Sequence, residues 1–279
     1  MADEGKGLPD NPLGYVTFDK EKFKKYFIDS SSLSFSNISE NTKRGNLPEE
    51  VGSRVHAWRV MLGLVSIERD PAKWVKEVRQ QRLRFYSISE KYSIKSTKDL
   101  DPMMFNPLMS SKNNLWNEML ENKDIREVIH KDIVRTYQEY TFFQDKEMRE
   151  QIVSTLYYWS KTYPMFSYRQ GMNEIIAVVY FVFYSEKSSK CDDIDKLSDQ
   201  EIGADYDNLV KFLYNPKHIN ADIFIVFERI MSMGIKELYG TIDDITSIKS
   251  QLFSAKSDPK DKLFKWKYEI EQEDKERRK

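Results

Sequence analysis

Apolar residues recur at intervals of three and four positions in several segments of this chain, a spacing that places them on one face of an α-helix. Met148, Ile152 and Leu156 follow it, and an uninterrupted apolar run covers residues 175–184. The run is too short to span a bilayer and predicts a buried helix. No pairs of alternating segments joined by hairpin turns occur, and no repeat is visible. The spacing therefore predicts an all-α fold built from several helices.

Capping residues mark the start of two of these helices. Asp70 stands directly before Pro71, and Asp145 precedes a long amphipathic segment. A carboxylate can accept hydrogen bonds from the first free N–H groups of a helix, and proline suits the first helical position. We therefore expect helices to begin at these points. Between them, the segments LWNEMLEN and IREVIHKDIVRTY are predicted as two separate helices.

Composition divides the chain into four parts. Residues 1–15 are rich in Gly, Pro, Asp and Asn and are expected to be disordered. Residues 16–45 are expected to hold a short helix followed by a polar loop. Residues 46–246 carry the helical pattern, interrupted at 185–205 by a predicted polar loop or short insertion. Residues 247–279 turn charged and predict a solvated helix or linker.

The charge balance and the reactive side chains argue against several classes of function. The formal net charge is -1, and Cys191 is the single cysteine, so nucleic-acid binding and an internal disulfide are not expected. The histidines lack the neighbours of a zinc site, and no phosphate-binding P-loop motif occurs. The first residues do not resemble a signal peptide. We expect a cytoplasmic protein with no transmembrane segment, no metal site and no cofactor of its own.

One predicted helix carries a charge on its apolar face. The apolar stripe of IREVIHKDIVRTY consists of Ile125, Val128, Ile129 and Ile133. Asp132 falls inside this stripe, where a carboxylate is costly unless it is paired. Arg135 lies three positions further on, at a spacing where helical side chains meet. The pattern predicts a partly buried Asp132 that holds Arg135, and this helix by itself favours a structural ion pair over a functional one.

A second unusual segment, YRQGM, precedes the apolar run. It places the amide of Gln170 and then Gly171 where the buried helix is about to begin. Two interpretations stay open from these residues alone. The segment is either a helix-entry turn or a device that presents Gln170 to another molecule.

Taken together, these segments resemble the TBC domain, the helical domain of GTPase-activating proteins for Rab GTPases. Three motifs carry the resemblance in the expected order: RVHAW at 54–58, IHKDIVRT at 129–136 and YRQGM at 168–172. The NPL of 106–108 resembles one subgroup of the family. The resemblance extends over roughly residues 45–240 of the chain.

The resemblance implies two catalytic residues. Arg135 matches the family's arginine finger and Gln170 its glutamine finger, both inserted into the nucleotide site of a Rab-family GTPase in its GTP-bound state. Arginine offers a permanently charged planar fork for phosphate oxygens, and an amide can orient the attacking water. GTP and Mg²⁺ would be carried by the partner GTPase.

It also implies five supporting residues. Asp132 and Tyr168 would position the two fingers. Gly171 would let the partner approach the backbone closely. Arg54 and Trp58 would join the first motif to the helices behind the catalytic pair.

A TBC domain has a second helical half, and no such half is recognisable in this sequence. We therefore expect residues 46–246 to be the N-terminal part of the domain. Two functions remain open, beside a helical scaffold whose motifs are only structural. The first is a Rab GTPase-activating protein of vesicle trafficking that supplies its fingers in trans. The alternative is a helical adaptor that binds a Rab or a trafficking or coat complex without stimulating hydrolysis. In either case its partners would bring it peripherally to endomembranes.

Overall fold

Helices make up the regular structure of the chain, as the sequence predicts. The computed structural model describes residues 18–30, 34–47, 50–93, 115–189 and 191–235. Within these ranges no strand occurs, and the fold is all-α. No helix in them is long and apolar enough to cross a bilayer.

The described residues form eleven α-helices. A short π-helical turn continues the first and the last of them. In chain order they are α1 (Lys20–Phe23), α2 (Phe35–Lys43), α3 (Arg54–Met61), α4 (Pro71–Tyr92), α5 (Leu115–Arg135), α6 (Thr141–Gln144), α7 (Lys146–Thr162), α8 (Met172–Ser185), α9 (Asp199–Ala204), α10 (Tyr206–Leu213) and α11 (Ile219–Ile230). All of them lie in one compact unit.

Both helix starts predicted from capping residues are confirmed. The side chain of Asp70 accepts a hydrogen bond of 3.0 Å from the backbone N–H of Lys73, and Pro71 opens α4. Asp145 accepts one of 2.8 Å from the backbone N–H of Met148 at the start of α7. Each cap satisfies one N–H group that has no partner inside its own helix.

The polar loop predicted within residues 16–45 is wrong for most of its length, because α2 occupies it. Ser34 caps this helix by accepting a hydrogen bond of 3.2 Å from the backbone N–H of Asn37. Ile38 is fully buried and anchors the helix to the core. A composition rich in serine and asparagine suggested a loop, although one cap and one apolar anchor are enough for a short helix.

The predicted break between residues 115–122 and 125–137 is also wrong. The two segments form the single helix α5. No glycine or proline stands between them, so nothing in the backbone interrupts the helix.

The polar stretch 185–205 is more ordered than predicted, since it contains α9. Ser198 and Glu201 form a capping box, in which each side chain bonds the other residue's backbone N–H. Ile202 is fully buried. Gly203 lies against α4 so closely that a Cβ there would be 2.6 Å from the backbone nitrogen of Ala72.

The apolar run 175–184 forms the central helix, α8, which packs against α3, α5, α7 and α11. The prediction of a buried helix is confirmed. Met172, Ile176 and Tyr180 are fully buried. The end of α5 and the beginning of α8 meet, since the side chain of Asn173 in the first turn of α8 bonds that of Thr136 directly after α5.

A cluster of charged residues lies inside the core, between α3, α4 and α11. Arg82 donates two hydrogen bonds to the carboxylate of Asp222, of 2.8 and 2.7 Å. Arg59 is 2.9 Å from the same carboxylate. The three side chains are between 2% and 6% exposed. This cluster was not predicted from the sequence.

Several predictions concern residues outside the described ranges. These are the disordered segment 1–15, the NPL of 106–108 and the charged segment 247–279. The boundaries between the four predicted parts of the chain therefore stay predictions.

Candidate functional site

Arg135 is the last residue of α5, and its guanidinium projects from the surface. Its Nη2 donates a hydrogen bond of 2.5 Å to Oδ1 of Asp132, and its Nε donates one of 3.2 Å to the carbonyl oxygen of Lys131. The Arg135 side chain is 68% exposed, whereas that of Asp132 is 12% exposed. The predicted contact is present: the carboxylate lies largely inside the fold and holds a guanidinium that lies outside it.

The apolar stripe beside Asp132 is only partly as predicted. Ile129 and Ile133 are buried. Val128 is largely exposed, so its assignment to the buried stripe is wrong. It lies seven positions before Arg135, which on a helix places the two side chains on nearly the same side.

Gln170 is exposed in the turn that leads into α8. Gly171 follows it in the left-handed conformation, with φ of 98° and ψ of -26°. A residue with a Cβ rarely adopts this conformation, so the turn requires glycine for its own backbone. The predicted reason, close approach of a partner, is a separate hypothesis that the backbone geometry does not address.

Tyr168 connects this turn to α5. Its side chain is buried, and its hydroxyl donates a hydrogen bond of 2.8 Å to Oδ2 of Asp132. The two oxygens of one carboxylate therefore receive Arg135 on one side and Tyr168 on the other. Asp132, Tyr168, Arg135 and Gln170, singled out from two distant motifs, occupy one place in the fold.

Asn173 belongs to this site, although it was not predicted as a site residue. It lies in the first turn of α8 and is 6% exposed. Its Oδ1 accepts a hydrogen bond of 2.9 Å from the backbone N–H of Gly171, and its Nδ2 donates one of 2.8 Å to Oγ1 of Thr136. The sequence feature that could have indicated Asn173 is a second amide, three positions after Gln170, at the beginning of an apolar helix.

Arg54 and Trp58 lie on α3, away from the beginning of α8. The backbone N–H of Arg54 donates a hydrogen bond of 2.7 Å to Oε1 of Glu186, the residue that follows α8. Because α8 has 14 residues, its two ends are separated by roughly 20 Å. Trp58 lines an apolar pocket of about 510 Å³ together with Tyr137 and Val182. Their predicted supporting role stays a prediction.

Glu186 is the buried acid that joins the end of α8 to the beginning of α3, although it lies in the stretch predicted as a polar loop. It accepts hydrogen bonds from the Ser53 hydroxyl at 2.7 Å and from the backbone N–H of Val55 at 3.2 Å, besides that of Arg54. Burial raises the pKa of Glu186 above its ordinary value, while these hydrogen bonds oppose the rise. A carboxylate at the N-terminus of α3 is favourably placed, since the first N–H groups of a helix lack internal partners.

Metal-ligating side chains do not gather near the site. Within the part of the chain that the structure describes, no group of three or more His, Cys, Asp or Glu residues could hold a metal ion. That the chain has no cofactor of its own stays a prediction.

Comparisons with known proteins give consistent results. The family described as the Rab-GTPase-TBC domain matches residues 53–257. TBC1 domain family member 5 homolog B of Dictyostelium discoideum is 32% identical over 63% of this chain and 16% of its own length. TBC1 domain family member 5 of Homo sapiens is 27% identical over 76% of this chain and 26% of its own length. The first four curated relatives are thus covered over only 16% to 26% of their lengths.

Among solved structures, the Ypt/Rab-GAP domain of Gyp1p aligns with 76% of this chain and 56% of its own chain. The sequence identity is 16%, and the TM-score is 0.49.

Proposed function

The chain belongs to the Rab-GTPase-TBC domain family, and on that premise we propose that it accelerates GTP hydrolysis by a Rab-family small GTPase. Arg135 and Gln170 are the proposed catalytic residues, acting in trans. One observation carries the proposal: both side chains are exposed, and one largely buried carboxylate binds both Arg135 and the tyrosine two positions before Gln170. Asp132 binds Arg135 directly and holds Tyr168, which stands two residues before Gln170.

The chemistry of GTP hydrolysis explains why an arginine and an amide are needed. The transferred phosphoryl group carries charge that must be stabilised, and the attacking water must be oriented. Arg135 supplies a permanent charge in a planar fork. Gln170 can accept a hydrogen bond from water and donate one to a phosphate oxygen. The nucleotide and its Mg²⁺ belong to the GTPase.

The hydrogen bonds of Arg135 leave donors for a partner. Nε and Nη2 are used by Lys131 and Asp132. Nη1 has no hydrogen-bond partner among the described residues. A guanidinium anchored on one edge and free on the other can be inserted into a site without first breaking its support.

Exposed apolar side chains flank the two proposed catalytic residues. Val128 lies on the side of α5 that carries Arg135, and Met165 lies in the loop five residues before Gln170. Both are largely exposed. Apolar side chains around a charged centre are the kind of surface that a protein partner covers.

The adaptor alternative predicts binding without acceleration. A finger pair stabilises the transition state more than the ground state. We therefore expect the chain to bind a matched Rab most tightly when the Rab carries GDP and a metal fluoride, measured by calorimetry. Equal affinity for the plain GDP form would support the adaptor.

Single-turnover GTP hydrolysis with a panel of purified Rab proteins tests the proposal. If Gln170 acts in trans, a Rab whose own switch glutamine is replaced by leucine is still stimulated. Gln170→Ala abolishes this stimulation without lowering the melting temperature, because the side chain is exposed. Gln200→Ala, at an exposed glutamine of α9, is the matched control and leaves the rate unchanged. A fully active Gln170→Ala together with an unresponsive leucine-bearing Rab would refute the two-finger mechanism.

The proposed activity would serve vesicle trafficking, at the membranes where the matched Rab resides. Which Rab responds is read directly from the panel. The relatives are several times longer than this chain, so the panel is best repeated with any longer form of the protein.

A further inference from the structure

We infer that Asn173 is a positioning residue that fixes the separation between Arg135 and Gln170, an inference that rests on the function proposed above. Asn173 sits between the end of α5 and the turn before α8. It bonds to one residue adjacent to each proposed catalytic side chain. These are Thr136, which follows Arg135, and Gly171, which follows Gln170.

The orientation of the Asn173 amide follows from its neighbours. The backbone N–H of Gly171 can only donate, so the atom 2.9 Å from it must be the carbonyl oxygen Oδ1. Nδ2 then faces Thr136 Oγ1 at 2.8 Å and donates to it. The Thr136 hydroxyl passes its own hydrogen to the carbonyl oxygen of Asp132, also at 2.8 Å. Each donor thus meets an acceptor.

Tyr168 closes these contacts into a ring. Its hydroxyl donates to Oδ2 of Asp132 at 2.8 Å, and the longer contact of 3.2 Å to Oδ1 of Asn173 shares the same hydrogen. The ring therefore runs from Asp132 through Thr136 and Asn173 to Tyr168 and back. Its members come from α5, from the turn and from α8. Arg135 and Gln170 are attached to it from outside.

Burial gives the ring its rigidity. Asn173, Thr136 and Tyr168 are all buried, so a broken hydrogen bond is not replaced at once by water. The bond to Gly171 makes the ring more rigid still. If Asn173 moved, the N–H of Gly171 would lose its partner, and the left-handed conformation of this glycine would lose its support. A shift of about 1 Å in a reacting group can reduce a rate by about a hundredfold. The ring keeps both side chains within such a tolerance.

The chain offers a matched pair of threonines for the test. Thr136 belongs to the ring. Thr155 is also buried, and its hydroxyl lies 2.7 Å from that of Tyr180, in contact with the middle of α8 rather than its beginning. The same substitution, threonine to valine, removes one buried hydroxyl in each case.

We expect Thr136→Val to lower single-turnover GTP hydrolysis at saturating protein by about tenfold to a hundredfold. Thr155→Val should lower the melting temperature about as much as Thr136→Val does, but it should leave the rate of hydrolysis unchanged. Thr136→Ser keeps the hydroxyl and should restore the rate. Equal losses of rate in both valine variants would show that only general stability matters, and would overturn the inference.

Amide hydrogen exchange gives a readout that needs no GTPase. In ¹⁵N-glycine-labelled protein, Thr136→Val should speed exchange of the Gly171 amide, although residue 136 lies directly after α5 and far from Gly171 in the sequence. Thr155→Val should leave that amide protected. An unchanged Gly171 amide in Thr136→Val would overturn the inference, whether or not any Rab is stimulated.

The two hypotheses can therefore fail separately. If the wild-type chain stimulates no Rab but Thr136→Val exposes Gly171, the proposed function fails and the structural link through Asn173 stands. If the wild-type chain is active while Thr136→Val changes neither the rate at saturation nor the exchange, the proposed function stands and Asn173 has no positioning role.

Discussion

Among the arginine–aspartate contacts of the described residues, those of Asp222 and of Asp132 differ in how much of the contact is buried. Asp222 and both of its arginines, Arg59 and Arg82, are inside the core. Asp132 is largely inside, but Arg135 is 68% exposed. In the first group, all of the charged side chains lie inside the fold. The second keeps the anion inside and leaves the cation at the surface, where a partner can reach it.

The arginines of the buried group make further contacts inside the fold. Besides Asp222, Arg82 donates a hydrogen bond of 3.0 Å to the carbonyl oxygen of Phe212, and Arg59 one of 3.1 Å to that of Leu213. Burial by itself would raise the pKa of the Asp222 carboxyl, but Arg82 and Arg59 outweigh it and hold the pKa below its ordinary value. The same ion-pair chemistry thus stabilises the fold in one place and can serve recognition in the other. The substitutions below separate these roles, from the largest expected effect to the smallest.

Arg135→Ala should remove nearly all stimulation of a matched Rab while leaving the fold unchanged. An arginine finger typically contributes ~10³–10⁵ in rate, which at the lower bound is about 4 kcal/mol of transition-state stabilisation. An exposed ion pair contributes only about 0–1 kcal/mol to stability. Arg135→Lys should fail as well, because one ammonium does not reproduce the planar fork. Single-turnover hydrolysis and thermal unfolding are the measurements. A large drop in melting temperature would place Arg135 with the buried group instead.

Asp222→Ala should have the opposite profile. Removing one partner of a buried ion pair typically costs about 3–5 kcal/mol, because it leaves uncompensated charge in the core. Here two buried guanidinium groups would lose their carboxylate partner. Urea denaturation measures the loss in the free energy of unfolding. The molecules that stay folded should still stimulate a Rab at the wild-type rate. A loss below about 1 kcal/mol would contradict the assignment of this cluster to stability.

His56 should make the buried region sensitive to acid. Its ring packs against Phe27 and Trp74, and neither ring nitrogen has a hydrogen-bond partner among the described residues. Burial, and then the charge of Arg59, lower the pKa of His56 to about 3. Below pH ~6.5 the unfolded chain therefore binds a proton that the folded chain does not.

The stability linked to His56 is complete above its unfolded pKa and is lost as the pH falls toward 3. The loss is about 1.4 kcal/mol per pH unit, or about 2 kcal/mol at pH 5. His56→Phe should remove this component, so the wild-type protein should lose about 2 kcal/mol more than the variant between pH 7 and pH 5. Urea denaturation of both proteins at the two pH values is the measurement. Equal losses would mean that His56 is not held neutral by its surroundings.

Arg44→Ala should have the smallest effect and serves as the control for Arg135. Arg44 is 67% exposed and pairs with Glu40 one turn earlier on α2. An exposed pair at this spacing contributes about 0.3–0.5 kcal/mol. The variant should match the wild type in hydrolysis and differ from it little in thermal unfolding. If it abolished stimulation, exposure of an arginine in an ion pair would no longer distinguish Arg135.

Predictions from the sequence succeeded where the determining contact is local. Asp132 and Arg135 are three positions apart, so helical geometry alone brings them together. The caps at Asp70 and Asp145 act on a backbone N–H three positions away. The burial of Ile176 follows from its place in the apolar run. Val128 was misplaced because the period of a helix tells which residues share a side but not where the neighbouring helices end.

What the sequence by itself determined is therefore the all-α class, the starts of α4 and α7, the family and the pair formed by Asp132 and Arg135. What only the tertiary structure decided are the contacts between distant positions: Asp222 with Arg82, 140 positions apart, Glu186 with Ser53, 133 apart, and Asn173 with Thr136, 37 apart. Each depends on where two helices cross, which no local spacing specifies. A buried polar side chain finds its partner only after that crossing is fixed, and the free energy of leaving it unpaired then makes the contact obligatory.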